Sequence, residues 1–244
     1  GEISLKLAKE INCDGIKNIV DVTKNRQTKI VYISTSAVFD GSKKFYVESD
    51  KTNPISYYGK SKLDGEKIVQ NSGMPYVIIR TDQPYGWKEK WHHTNSVLRI
   101  LENLENKEKH NEIIDWYNTP TFIDDFVTST KKILSENRNG VFHVVGSDFK
   151  NRFQFAKVVA EVFKINKNDI KSINSKKLGL PAKRANVKLT NGQKRKTNIK
   201  MSNLRTGLKK MKESMKEEEE FKFRNQQFIK KMNEDGELKK NSKK

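Results

Sequence analysis

One cysteine, Cys13, is the whole thiol content of these 244 residues, which excludes a disulfide scaffold and a cysteine-based zinc cluster. No apolar run approaches the roughly 20 residues that a membrane span needs, and no signal-peptide pattern is visible. These absences predict a soluble protein of a reducing cytoplasm with no membrane partner. Acidic residues are also in deficit, 30 against 49 Lys and Arg, for a net charge of +19. The excess is uneven, since 20 basic residues meet only 8 acidic ones from Lys183 onward. No helix-turn-helix, zinc-finger spacing or RNP-like aromatic run accompanies it. The charge therefore reads as a lysine-rich solvated surface and argues against a nucleic-acid partner.

What is present is a periodic apolar pattern that persists to about residue 190, in a chain of 34% hydrophobic content overall, enough for one core with a small satellite. Its centre is the stretch from Lys29 to Lys62. Ile30-Val31-Tyr32-Ile33-Ser34-Thr35 is a β-branched apolar run ending in hydroxyls, the pattern of a buried parallel strand whose carboxyl end opens into a crevice. Ligands bind at that edge of α/β sheets. Tyr58 and Lys62 stand four apart at the start of an expected helix running to about Gln70, hence on one face. An ammonium beside a phenol favours the phenolate and lowers its pKa, fitting Tyr58 for acid–base work, and Thr35 would orient a substrate carbonyl toward it.

Other elements follow from the same periodicity. A helix is expected over Leu5 to Thr23, a loop over Asp40 to Ser56 and a buried strand at Tyr76-Val77-Ile78-Ile79 closing at Thr81. Further on, a helix carries Val97, Leu98, Ile100, Leu101 and Leu104, a short strand runs from Ile113 to Tyr117, and a helix opens with Asp124 and Asp125, which suit its dipole. A strand around Val141 to Val145, with His143 as a packing residue, and an amphipathic helix from Phe153 to Phe163 complete the pattern. Trp87, Trp91, His92 and His93 cluster in one loop, but adjacent histidines point apart and no cysteine assists, so no metal site is expected. Beyond Lys200 the charge density predicts a solvated helix or frayed tail.

Ser34-Thr35-Ser36-Ala37-Val38-Phe39-Asp40-Gly41, followed by Tyr58-x-x-x-Lys62, resembles the extended short-chain dehydrogenase/reductases, and within them the dTDP-4-dehydrorhamnose reductase group. Arg80-Thr81 with Pro84-Tyr85-Gly86, Thr119-Pro120-Thr121 with Asp124-Asp125, Gly140-Val141-Phe142-His143-Val144 and Leu180-Pro181-Ala182-Lys183-Arg184 extend the match. The resemblance implies a Rossmann-like, doubly wound parallel α/β sheet with a small C-terminal substrate-binding lobe. Residues 1–150 would be the later part of the dinucleotide-binding domain with a substrate-lobe insertion around 87–120, residues 151–200 the lobe, and 201–244 a charged helical tail. The Gly-x-x-Gly-x-x-Gly turn that holds a dinucleotide pyrophosphate in that family is not among the 244 residues, so a chain lacking the first βα units is expected.

The implied activity is reduction of a nucleotide-linked 4-keto-deoxysugar with NADPH or NADH. Thr35, Tyr58 and Lys62 would be catalytic, Tyr58 delivering the proton. Ser34, Tyr58, Lys62 and Pro84 would lie against the cofactor, and Ser36, Trp87, Asn95 and Arg184 against the nucleotide-sugar, with Lys183 and Arg184 meeting its diphosphate. A nucleotide-sugar epimerase of the same superfamily and a catalytically silent regulatory subunit are the alternatives. Apolar surface at Ile19, Val20, Ile30 and Val31, uncovered without the first βα units, predicts self-association into a homo-oligomer or marginal stability.

Overall fold

The computed structural model describes residues 5–87, 95–106, 110–179, 184–190 and 199–217. Helix α1 (Leu5–Lys9) passes through a π-helical turn, Glu10–Asp14, into α2 (Gly15–Thr23), and then come strand β1 (Ile30–Thr35), helix α3 (Tyr57–Gln70), β2 (Tyr76–Thr81) and β3 (Pro84–Tyr85). Next are α4 (Ser96–Glu105), β4 (His110–Ile113), β5 (Tyr117–Asn118), β6 (Thr121–Phe122), α5 (Ile123–Ser135) and β7 (Gly140–His143). The order closes with β8 (Lys150–Asn151), α6 (Arg152–Phe163), β9 (Ile170–Ile173) and a helix α7 over 204–217. Among the described residues no helix is long and apolar enough to cross a membrane.

The α/β architecture is the expected one. Parallel strands β1, β2 and β7 form a sheet in that order, with Thr35 beside Thr81 and Arg80 beside His143. Val77, Ile78 and Ile79 of the central strand are fully buried because helices cover both faces, which is why the run reads as continuously apolar. Strand β1 has one covered face. Ile30 and Tyr32 join Ile16, Val20, Val69, Met74 and Ile78 in an apolar cluster under α2 and α3, whereas Val31 and Ile33 stay 38% and 42% exposed. The expectation that Ile19, Val20, Ile30 and Val31 would all be uncovered is thus half corrected: Val20 and Ile30 are buried, Ile19 and Val31 are open.

Helix α3 is held on the sheet by a buried ion pair. Glu66, with no exposed surface, accepts from Arg80 Nε at 2.9 Å and Arg80 Nη2 at 2.7 Å, and also from the Ser34 hydroxyl. A Cβ on Gly65 would overlap the Tyr32 hydroxyl, and one on Gly59 would overlap the Ala37 carbonyl. Both glycines therefore set how closely α3 approaches β1.

A second apolar cluster gathers α4, α6, β3, β6 and α7 around Tyr85, Ile100, Phe122 and Phe155. Strand β4 lies three residues earlier than the expected Ile113–Tyr117 strand, and pairs in parallel with β9. The solvated helix or frayed tail expected beyond Lys200 is also corrected for residues 204–217. Leu204, Leu208 and Met211 are buried in the second cluster, and Met215 packs against it. Spacings of four, three and four place those side chains on one face, with the lysines and glutamates outside it. Leu208→Ala should cost about 2–5 kcal/mol of stability in urea denaturation. A midpoint matching wild type would mean that α7 is the solvated tail after all.

Candidate active site

The ends of β1 and β2 build the site. Because Thr35 pairs with Thr81, the next residues on each strand, Ser36 and Asp82, meet and hydrogen-bond. Thr35 Oγ1 accepts from the Ala37 amide at 3.2 Å and so caps the 3-10 turn Ser36–Val38. The Ser56 side chain caps α3 by accepting from the Gly59 amide at 3.1 Å. With Gly59 against the Ala37 carbonyl, the first turn of α3 comes close enough for the Tyr58 and Thr35 hydroxyls to hydrogen-bond.

Tyr58 is 39% exposed, yet partial desolvation raises its phenol above the ordinary tyrosine range, the Thr35 hydrogen bond acts against this, and the Asp82 carboxyl adds to it. The expected lowering by Lys62 is therefore overturned. Lys62 shares the helix face, yet its Nζ lies 4.2 Å from the centre of the Tyr32 ring, where burial lowers its own pKa against the pull of Glu66.

Thr35, Ser36 and Tyr58 open onto a cavity of about 280 Å³. Asp82, Gln83 and Asn118 line it too, as do Trp116, Arg152 and Arg184. The two guanidiniums lie 5.7 Å and 4.9 Å from the Trp116 ring centre. Arg152 is nearly buried and tied to Ser96 Oγ at 3.1 Å and Glu112 at 3.4 Å, whereas Arg184 is exposed. Burial opposes ionisation of Glu112, but the His110 hydrogen bond and the charges of Arg152 and Arg99 outweigh it and hold the carboxyl below its usual range.

Of the residues expected from sequence, the cavity gathers Thr35, Ser36, Tyr58 and Arg184. Ser34 is buried behind it with its hydroxyl given to Glu66. Pro84, Trp87 and Asn95 line a separate depression of about 150 Å³. There Asn95 caps α4, accepting from Val97 and Leu98 amides and donating to the Gly86 carbonyl at 2.7 Å. Trp91, His92, His93 and Lys183 lie outside the described residues. His143 is buried within β7 beside the Thr190 carbonyl, and burial holds its imidazole neutral with a pKa lowered to about 3. Asp82, Gln83, Asn118, Trp116 and Arg152 were not anticipated. The available signal was Thr81-Asp82-Gln83, a polar break directly after an apolar strand, the same feature that marks Ser34-Thr35-Ser36.

The model of the RmlD substrate binding domain matches residues 2–217. The chain belongs to that family. A dTDP-4-dehydrorhamnose reductase of Sinorhizobium fredii is 32% identical over 191 residues, 73% of this chain and 63% of that protein. The bovine methionine adenosyltransferase 2 subunit beta is 27% identical over 172 residues, 68% of this chain and 51% of the relative. This RmlD-family chain thus spans about half to two thirds of the length of these curated relatives. A crystal structure of the Bacillus anthracis dTDP-4-dehydrorhamnose reductase in complex with NADP superposes with a TM-score of 0.80 at 26% identity, covering 86% of this chain and 74% of that one.

The cavity also contains a titrating group with a measurable signature. Burial pushes the Asp82 carboxyl up to about 6, against donation from the Thr119 amide, Ser36, Asn118 and the Gln83 amide. An unfolded aspartate titrates near 3.9, so between about pH 4 and 6 the folded chain keeps a proton that the unfolded chain has lost. The stability contributed by this group is full below about pH 4 and is lost as pH rises through about 6. Asp82→Asn removes the titration. In urea denaturation, the stability difference between variant and wild type should move in the variant's favour by up to about 3 kcal/mol from pH 4 to pH 7.5. A difference independent of pH would contradict a buried, raised carboxyl.

Proposed function

We propose that this chain carries the reducing centre of an NAD(P)H-dependent reductase of a nucleotide-linked 4-keto-deoxysugar, with Tyr58 as proton donor. The observation behind this reading is the hydrogen-bonded Thr35–Tyr58 pair at the carboxyl edge of a parallel sheet, opening on a cavity that two arginines also line. A phenol raised by burial is protonated at neutral pH, the form able to give a proton. With substrate bound, the Thr35 hydroxyl turns its one proton to the substrate carbonyl and orients it, and Tyr58 Oη delivers its own proton to that oxygen as charge develops. Arg152 and Arg184 receive the diphosphate, since guanidinium forks match phosphate oxygens. Trp116 offers its ring between them.

A reduced nicotinamide, NADPH or NADH, would supply the hydride when bound. Tyr58 and Lys62 fit its nicotinamide-ribose end, because Lys62 rests on a ring face and has no carboxylate salt bridge among the described residues. Ser34 fits it poorly with its hydroxyl committed to Glu66, and Pro84 faces the other depression. The Sinorhizobium fredii and Bacillus anthracis relatives support the reductase reading. The bovine methionine adenosyltransferase 2 subunit beta fits a second one, a regulatory nucleotide-binding scaffold without turnover.

The test follows nicotinamide oxidation with a nucleotide-linked 4-keto-6-deoxysugar. Tyr58→Phe should lower turnover by roughly 10²–10⁴-fold while nucleotide-sugar affinity changes less than about twofold. Turnover within about twofold of wild type would remove Tyr58 from the role. A wild-type chain that binds both the nucleotide-sugar and a dinucleotide but does not turn over would favour the regulatory scaffold.

A further inference from the structure

A chain of buried polar side chains stands behind one wall of the cavity, running from α4 through β4 to α6. Asn103 donates through Nδ2 to His110 Nδ1 at 2.9 Å, which places the imidazole proton on Nε2, and that nitrogen donates to Glu112 Oε1 at 2.9 Å. Arg99 reaches the same oxygen from the surface at 3.1 Å, and Arg152 Nε lies 3.4 Å from Glu112 Oε2. His110, Glu112 and Arg152 are 4%, 3% and 6% exposed.

Stability does not account for this arrangement. Burying an ion pair costs about as much in desolvation as the attraction returns, and apolar side chains of similar size serve a core as well or better. What the chain does provide is a fixed guanidinium. Arg152 has Nε against Glu112 and Nη1 on Ser96 Oγ at 3.1 Å, and its central carbon lies 5.7 Å and 5.6 Å from the Trp116 and Phe155 ring centres. Burial works against the Arg152 charge, and the Glu112 carboxylate works for it. Of all these polar groups, Arg152 and Ser96 line the cavity, while Asn103, His110 and Glu112 stand behind it.

Resting on the nucleotide-sugar reading, we propose that Glu112 and Ser96 are positioning residues for the diphosphate, acting through Arg152, whose guanidinium they hold in one orientation at the cavity wall. His110, oriented by Asn103, fixes the carboxylate in turn. An arginine fixed in advance loses little rotamer freedom when a phosphate arrives, whereas an untethered one gives that freedom up on binding.

Calorimetric titration of the whole chain with dTDP tests this as a double-mutant cycle. Arg152→Met should weaken dTDP binding by roughly tenfold or more, and Glu112→Gln, which keeps the shape and removes the charge, by roughly 3- to 10-fold. With both substitutions in one chain, affinity should match that of Arg152→Met alone within about twofold, since Glu112 then has nothing left to position. Ser96→Ala, a milder change in the first turn of α4, should show the same dependence on Arg152 and keeps the proposal falsifiable if Glu112→Gln does not fold. A purely structural role would lower thermal stability without that dependence. If Arg152→Met weakens dTDP while Glu112→Gln and Ser96→Ala stay within about twofold of wild type, the proposal fails and the diphosphate site stands. A Glu112→Gln or Ser96→Ala loss that persists in full beside Arg152→Met also overturns it, as general damage to the cavity. If Arg152→Met has no effect, or wild type does not bind dTDP, the nucleotide-sugar reading of this arginine fails and the proposal with it.

Discussion

A carboxylate with no exposed surface fixes the geometry of everything else in the site. Glu66 takes two nitrogens of Arg80 and the hydroxyl of Ser34, joining α3 to both strands whose ends line the cavity. Such a pair contributes little to net stability, because desolvation offsets most of the attraction, but losing one partner strands a buried charge at roughly 3–5 kcal/mol. Its value here is orientation. Tyr58, Lys62 and Glu66 stand on one i, i+4 row of α3, so locking Glu66 against β2 locks the rotation that presents Tyr58 to Thr35. Gly59 and Gly65 then let the helix close on the strand where any Cβ would collide.

Much of this was legible in the chain. The β-branched run ending in hydroxyls and the Tyr-x-x-x-Lys spacing located β1, α3 and the Thr35–Tyr58 pair, because strand burial and helical spacing are local properties. The charge relation of Tyr58 and Lys62 was not local. It depended on Tyr32, whose ring face draws the ammonium aside, and on the burial that raises the phenol. Strand β4 was misplaced because its buried residues His110 and Glu112 are polar, stabilised by each other and by Arg99 and Arg152, so no apolar alternation announces it. In α7 the dense charge hid a clean row of Leu204, Leu208 and Met211.

The cavity floor was illegible for a topological reason. Asp82 and Gln83 follow β2, Asn118 ends β5, and Arg152 opens α6, so they converge only after the chain has crossed between the sheet and the second apolar cluster. The same crossing supplies the electrostatics. Arg152 is held by Glu112 and Ser96 and is preorganised, while exposed Arg184 reaches the same Trp116 ring from a different segment. A buried, fixed cation beside an exposed one would suit the proposed diphosphate.

The decisive measurement is a crystal structure of the chain with a bound nucleotide-sugar. The sugar's C4 oxygen should lie within about 3 Å of Tyr58 Oη and of Thr35 Oγ1, with the diphosphate against Arg152 and Arg184. A diphosphate seated elsewhere, or a sugar whose C4 oxygen faces away from Tyr58, would contradict the assignment of this cavity as the reducing centre.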